Sequence, residues 1–101
     1  MKDIYRLALR GDSGVKAAAI ESAIDALSDS PGNWTDILFL RDMTNDPDPL
    51  IRRHAVAALG SVGTADEIGF LRMCQGDPDP GVDIAAERAL QEMMYRTQSR
   101  R

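Results

Sequence analysis

Along residues 49–62 the apolar side chains Ile51, Ala55, Ala58, Leu59 and Val62 fall at i, i+4, i+7, i+8 and i+11. That spacing puts them on one face of an α-helix, with polar residues on the other. Val82, Ala86, Ala89, Leu90 and Met93 repeat the same stripe further along. A shorter apolar run precedes each stripe: Ile37, Phe39 and Leu40 before the first, Ile68, Phe70 and Leu71 before the second. The pattern predicts helices in pairs. First helices are expected over about 2–10, 34–44 and 65–75, and second helices over about 13–29, 49–61 and 80–97.

The pairs are copies of one unit. Asp46-Pro47-Asp48-Pro49 recurs as Asp77-Pro78-Asp79-Pro80 at an offset of 31 residues. The apolar positions match on both sides without a gap, together with Arg41 and Arg72. A weaker copy stands first, with Asp12, Val15 and Ala19 in the places of Asp48, Ile51 and Ala55, now at an offset of 36. An outer copy has one neighbour only, so its pattern is free to drift. No single pair can bury its own apolar face, so the pairs must stack. The expected fold is all-α, an α-α superhelix (solenoid) of about three helix pairs in one domain. Its repeats run approximately over 1–31, 32–62 and 63–97, with a tail at 98–101.

The boundaries carry their own chemistry. Asp48-Pro49 and Asp79-Pro80 place an acceptor at the N-cap and proline at N1, where an amide would go unpaired. Thr64 with Glu67 has capping-box spacing, and Asn33 with Asp36 is a weaker pair of the same kind. Gly32, Gly60, Gly63 and Gly76 stand where helices are expected to end or turn.

The run from Asp46 to Gly60, Asp-Pro-Asp-Pro-x-Ile-Arg-x-x-Ala-x-x-Ala-Leu-Gly, resembles a HEAT repeat. More narrowly it is similar to the short, roughly 30-residue HEAT-like repeats of bilin-lyase-type proteins. The resemblance implies a superhelix whose second helices line a concave face, and a role in binding rather than catalysis. The arginine of the pattern is Arg52; Lys16 fills its place in the first copy, and Asp83 stands there in the last. Arg52 is expected to bond an acidic turn residue, Asp48 or the next layer's Asp79. Asp83 is expected either in solvent or paired with Arg52 or Arg88.

Composition narrows the picture. Hydrophobic residues make up 44% but aromatics only 5%, so the core must come from close helix contacts through alanine. The net charge of −4 argues against broad phosphate neutralisation, and nucleic acid is an unfavoured partner. Cys74 is the only cysteine, which excludes an intrachain disulfide or a CxxC site and fits a reduced, cytoplasmic setting. No apolar run is long enough to cross a membrane. Residues 1–6 lack the apolar core of a signal peptide, and Met1 reads as a natural start.

Candidate chemistry is sparse. Asp46, Asp48, Asp77 and Asp79 could hold a hard cation, although the capping preference favours turns and caps. His54 is the only histidine, so a multi-histidine metal site is excluded. HEAT-like hydroxylases carry paired His-Glu motifs, whereas Ala55 follows His54 here. Cys74 aligns with Met43 and reads as a small core residue. There is no Gly-x-Ser-x-Gly elbow and no phosphate-binding glycine loop. No catalytic residue, cofactor or metal is therefore expected. The second-helix side away from the core stripe carries Arg53, Ala57 and Gly60 in one layer and Ile84, Arg88, Gln91 and Tyr95 in the next. Arg53, His54, Ile84, Arg88 and Tyr95 are the expected contacts for another protein. Met93, Met94 and Tyr95 either make a homodimer contact or pack inward on Leu71 and Met73. The alternative role is that of an accessory subunit of an enzyme, as the bilin-lyase resemblance implies.

Overall fold

The structure, a computed structural model, describes residues 2–98. Met1 and residues 99–101 of the expected tail lie outside the described residues. Six α-helices follow one another: α1 (Asp3–Arg10), α2 (Ser13–Asp29), α3 (Trp34–Met43), α4 (Pro49–Val62), α5 (Ile68–Cys74) and α6 (Pro80–Gln98). They form three pairs, α1/α2, α3/α4 and α5/α6. The Cα atoms span 41 × 32 × 16 Å; the thin dimension suits two helices packed about 8–10 Å apart.

The turns follow from the sequence. Asp12 accepts a hydrogen bond from the Val15 amide, Asp48 from Leu50, and Asp79 from Val82. Each carboxylate satisfies an amide that the first turn leaves unpaired. Gly32 and Gly76 have φ of +81° and +87°, a left-handed conformation that favours glycine at a helix exit.

Two expectations about boundaries change. The third first-helix opens as a short 3-10 turn, Ala65–Glu67, before α5. Thr64 accepts from the Asp66 amide, but Glu67 does not complete a capping box. Its side chain is buried and bonded to Arg41. Gly60 is also not a helix end. It lies inside α4 and is buried, because α4 and α6 meet there. A Cβ on Gly60 would stand 2.5 Å from the Ala89 Cβ and 2.7 Å from its Cα.

That contact reflects how the layers are built. The most extensive helix contact is α4 against α6, where Gly60 meets Ala89; the buried alanines Ala55, Ala58, Ala86 and Ala89 keep both helices slim on their core sides. The first helices are bridged by longer side chains. Tyr5 on α1 stacks on Phe39 on α3 with ring centroids 4.0 Å apart. Small residues therefore bring the second helices close, while rings and arginines span the first. Met93 packs into the core as the inward alternative expected, but Met73 is 79% exposed and gives it no seat. Arg96, near the end of α6, donates to the carbonyls of Gly60 at 2.6 Å and Gly63 at 2.9 Å. It thereby closes the carbonyl end of α4.

Two glycine substitutions separate these effects. Gly60→Ala drives a methyl into Ala89 and is expected to cost about 1–3 kcal/mol by overpacking. Gly69→Ala, with nothing within 4 Å of the new Cβ, is expected to add about 0.5–1 kcal/mol of stability by restricting the unfolded chain. Thermal or urea unfolding of both variants checks the opposite signs.

Candidate interaction face

The five expected contacts all lie on second helices, with their backbones held from behind by the core. Ile84, Arg88 and Tyr95 share one side of α6 and are exposed, Ile84 by 50% and Tyr95 by 75%. Gln91 lies in the same row. Arg53 on α4 is exposed too, and its guanidinium lies 3.2 Å from where a Cβ on Gly81 would stand. It therefore leans across to the first turn of α6. His54 turns the other way, with Nε2 2.7 Å from a carboxylate oxygen of Glu21 on α2. The structure thus brings Arg53 to the α6 row and sets His54 as a bridge between α2 and α4. Gly60 drops out of the face because Ala89 covers it.

Behind this face, acidic residues hold the layers in register. Lys16 on α2 reaches Asp46 at 2.6 Å. Arg52 on α4 makes a two-pronged contact with Asp77, both bonds 3.0 Å, and also donates to the carbonyls of Asp46 and Pro47. The expected partners Asp48 and Asp79 are instead committed to capping. The two aspartates of each turn divide the work. The first accepts from the backbone amide of the second and takes the cation of the preceding layer. The second caps the helix. Asp48 also accepts from the Ser13 hydroxyl at 2.7 Å. Asp83 pairs with neither arginine; it accepts from the Gly76 amide at 3.0 Å.

A second set of contacts joins the first helices. Asp36 is buried and takes the Tyr5 hydroxyl and the Lys2 ammonium, the latter at 2.9 Å. Burial, then Asp36, pushes the Tyr5 pKa up, so its hydroxyl stays a donor. Glu67, one repeat on, takes both prongs of Arg41 at 2.8 and 2.9 Å. That guanidinium also lies over the Trp34 and Phe70 rings, 5.2 and 5.1 Å from their centroids. The sequence offered one signal for this set: Asp36 and Glu67 share the same register at the 31-residue offset.

The chemistry open to these side chains is limited. All four aspartates read as a possible cation site are taken up by lysine, arginine or backbone amides. Cys74 lines a shallow groove with Thr44, Phe70 and Val82. Burial pushes its thiol up, against a smaller opposite effect of Thr44, which disfavours the nucleophilic thiolate.

The sequence pattern of HEAT repeats matches residues 6–91. The chain belongs to the HEAT-repeat family. Members of that family commonly serve as protein-interaction scaffolds. No curated protein and no solved structure matches the chain. Among the described residues, no helix is long and apolar enough to cross a membrane.

The ladder has a pH signature. Arg52 holds the Asp77 carboxyl below its ordinary value, helped by the Asp79 amide and partly opposed by burial. The stability it contributes is fully present above the ordinary aspartate range and is lost as pH falls through the lower, folded value. Arg52→Met is therefore expected to flatten the fall in melting temperature between about pH 6 and about pH 3. Asp48, lowered first by the Ser13 hydroxyl and then by the Leu50 amide, leaves a residual slope in both proteins. An unchanged slope in calorimetry would show that the Arg52 contact is not what sets it.

Proposed function

We propose that the chain is a non-catalytic protein-interaction scaffold that takes its partner on the second-helix face. The observation that carries this reading is the row on α6. Ile84, Arg88 and Tyr95 are exposed on one side of a helix whose other side is held in the core. An aromatic, an aliphatic and an arginine together suit a protein contact, because rigid apolar area supplies affinity and the guanidinium supplies direction. Arg53 adds a second cation beside the first turn of α6. His54 sits at the margin, engaged with Glu21. The partner surface best matched to this row carries an apolar anchor flanked by carboxylates. The three helix pairs act as one unit over the repeats at about 1–31, 32–62 and 63–97, since stacking is what stabilises each.

A photoreactive phenylalanine in place of Tyr95 tests the reading directly. In cells it is expected to capture a defined partner. Arg53→Glu with Arg88→Glu is expected to lower the captured yield about tenfold by opposing the partner's carboxylates. The same photoreactive residue in place of Asp42 on α3 serves as the control and should not capture that partner. Capture that persists after both charge reversals sinks the proposal.

A further inference from the structure

The interlayer contacts run in two columns, and both have a direction. In the turn column, Lys16 reaches Asp46 and Arg52 reaches Asp77. In the first-helix column, Lys2 reaches Asp36 and Arg41 reaches Glu67. Each layer sends a cation forward and presents an anion backward. The register positions on the two outer faces can therefore be read off.

On the outer face of α5/α6, Asp83 stands in the place of Arg52, and Arg72 in the place of Arg41. On the outer face of α1/α2, Arg10 stands two residues before the N-cap Asp12, where Asp46 and Asp77 stand before Asp48 and Asp79. All three side chains are exposed, and none is in an ion pair among the described residues. Asp83 accepts one amide hydrogen bond, from Gly76, which leaves most of its acceptor capacity open. In the turn column the sign is inverted on both outer faces, so Asp83 is complementary to Arg10. In the first-helix column Arg72 keeps the sign of Arg41.

The shapes agree with the charges. Val56 and Gly60 are buried in α4, and Gly60 faces α6. One repeat on, their places hold Glu87 and Gln91, which are exposed. This outer face is polar and would not seat a further apolar layer. On α2 the register of Ala89 is held by Ser22, a small hydroxyl residue with room for the Gln91 amide.

We propose that a second copy of this chain stacks head to tail, the α5/α6 outer face of one copy against the α1/α2 outer face of the next. Asp83 pairs with Arg10 of the next copy. The contact is polar, so it is weak and salt-sensitive. It is heterologous and leaves a free face on each end, so it grows with concentration rather than stopping at a dimer. It shares Gln91 with the second-helix row but uses none of Arg53, Arg88 and Tyr95, so the two tests read different residues.

Sedimentation velocity of the full chain over a concentration series is the test. The average mass is expected to rise with concentration at about 20 mM salt and to fall to the monomer at about 0.5 M. Asp83→Arg alone and Arg10→Asp alone are each expected to weaken association about tenfold. Mixing the two variants is expected to restore it, because each then offers the other a complementary face. Asp83→Asn, which can still accept from the Gly76 amide, separates loss of charge from loss of that turn contact, and it should weaken association too. Three results would overturn the proposal: a monomer throughout, association indifferent to Arg10→Asp, or no restoration on mixing. Indifference to Arg10 would point instead to a two-fold contact between like faces.

Discussion

The spacing of the layers is set where Gly60 meets Ala89. With no side chain at that point, α4 and α6 approach until alanine touches backbone. Everything that crosses between the second and third layers depends on that distance. Arg52 can grip Asp77 with two bonds only if the next turn is brought within reach of one side chain. Arg96 can reach back to the α4 carbonyls only if the last turns of α4 and α6 stay side by side. A core with few aromatic rings can be close-packed in this way because small residues let backbones do the filling.

The first helices solve the same problem with the opposite means. They lie too far apart for alanine contacts, and stacked rings and long cations cross the gap. The carboxylates they meet, Asp36 and Glu67, are almost fully buried. A buried carboxylate is costly unless charged and neutral donors surround it. Tyr5 with Lys2, and the two prongs of Arg41, meet that condition. These pairs are less a source of net stability than a penalty on any other register, since a slipped layer would leave a charge buried and unmatched.

Much of this was legible in the chain. The apolar period gave the helices, the Asp-Pro steps gave the caps, and the 31-residue offset gave the stacking. Partner choice was harder to read. Asp77 and Asp79 are the same residue type two positions apart, and only the direction of the turn decides which one faces Arg52. Glu67 had the spacing of a capping box, yet the arginine of the neighbouring layer outcompeted a local amide. Gly60 looked like a helix end because glycine usually is one, whereas here its missing side chain serves tertiary contact. The exposed row on α6 followed from the period alone. That Arg53 joins it while His54 leans to Glu21 depended on neighbouring layers that no local pattern encodes.

The Asp-Pro-Asp-Pro turn has a consequence for how such a chain lengthens or shortens. Its first aspartate is the socket for the layer before, and its second starts the helix that carries the plug for the layer after. A tandem copy of one unit therefore arrives with both fittings in place, and no existing contact has to be reinvented. Growth by duplication is cheap for such an architecture. A few substitutions on one helix then change what the next layer must be, as where Asp83, Glu87 and Gln91 replace a cation, a valine and a glycine and call for a polar, basic neighbour.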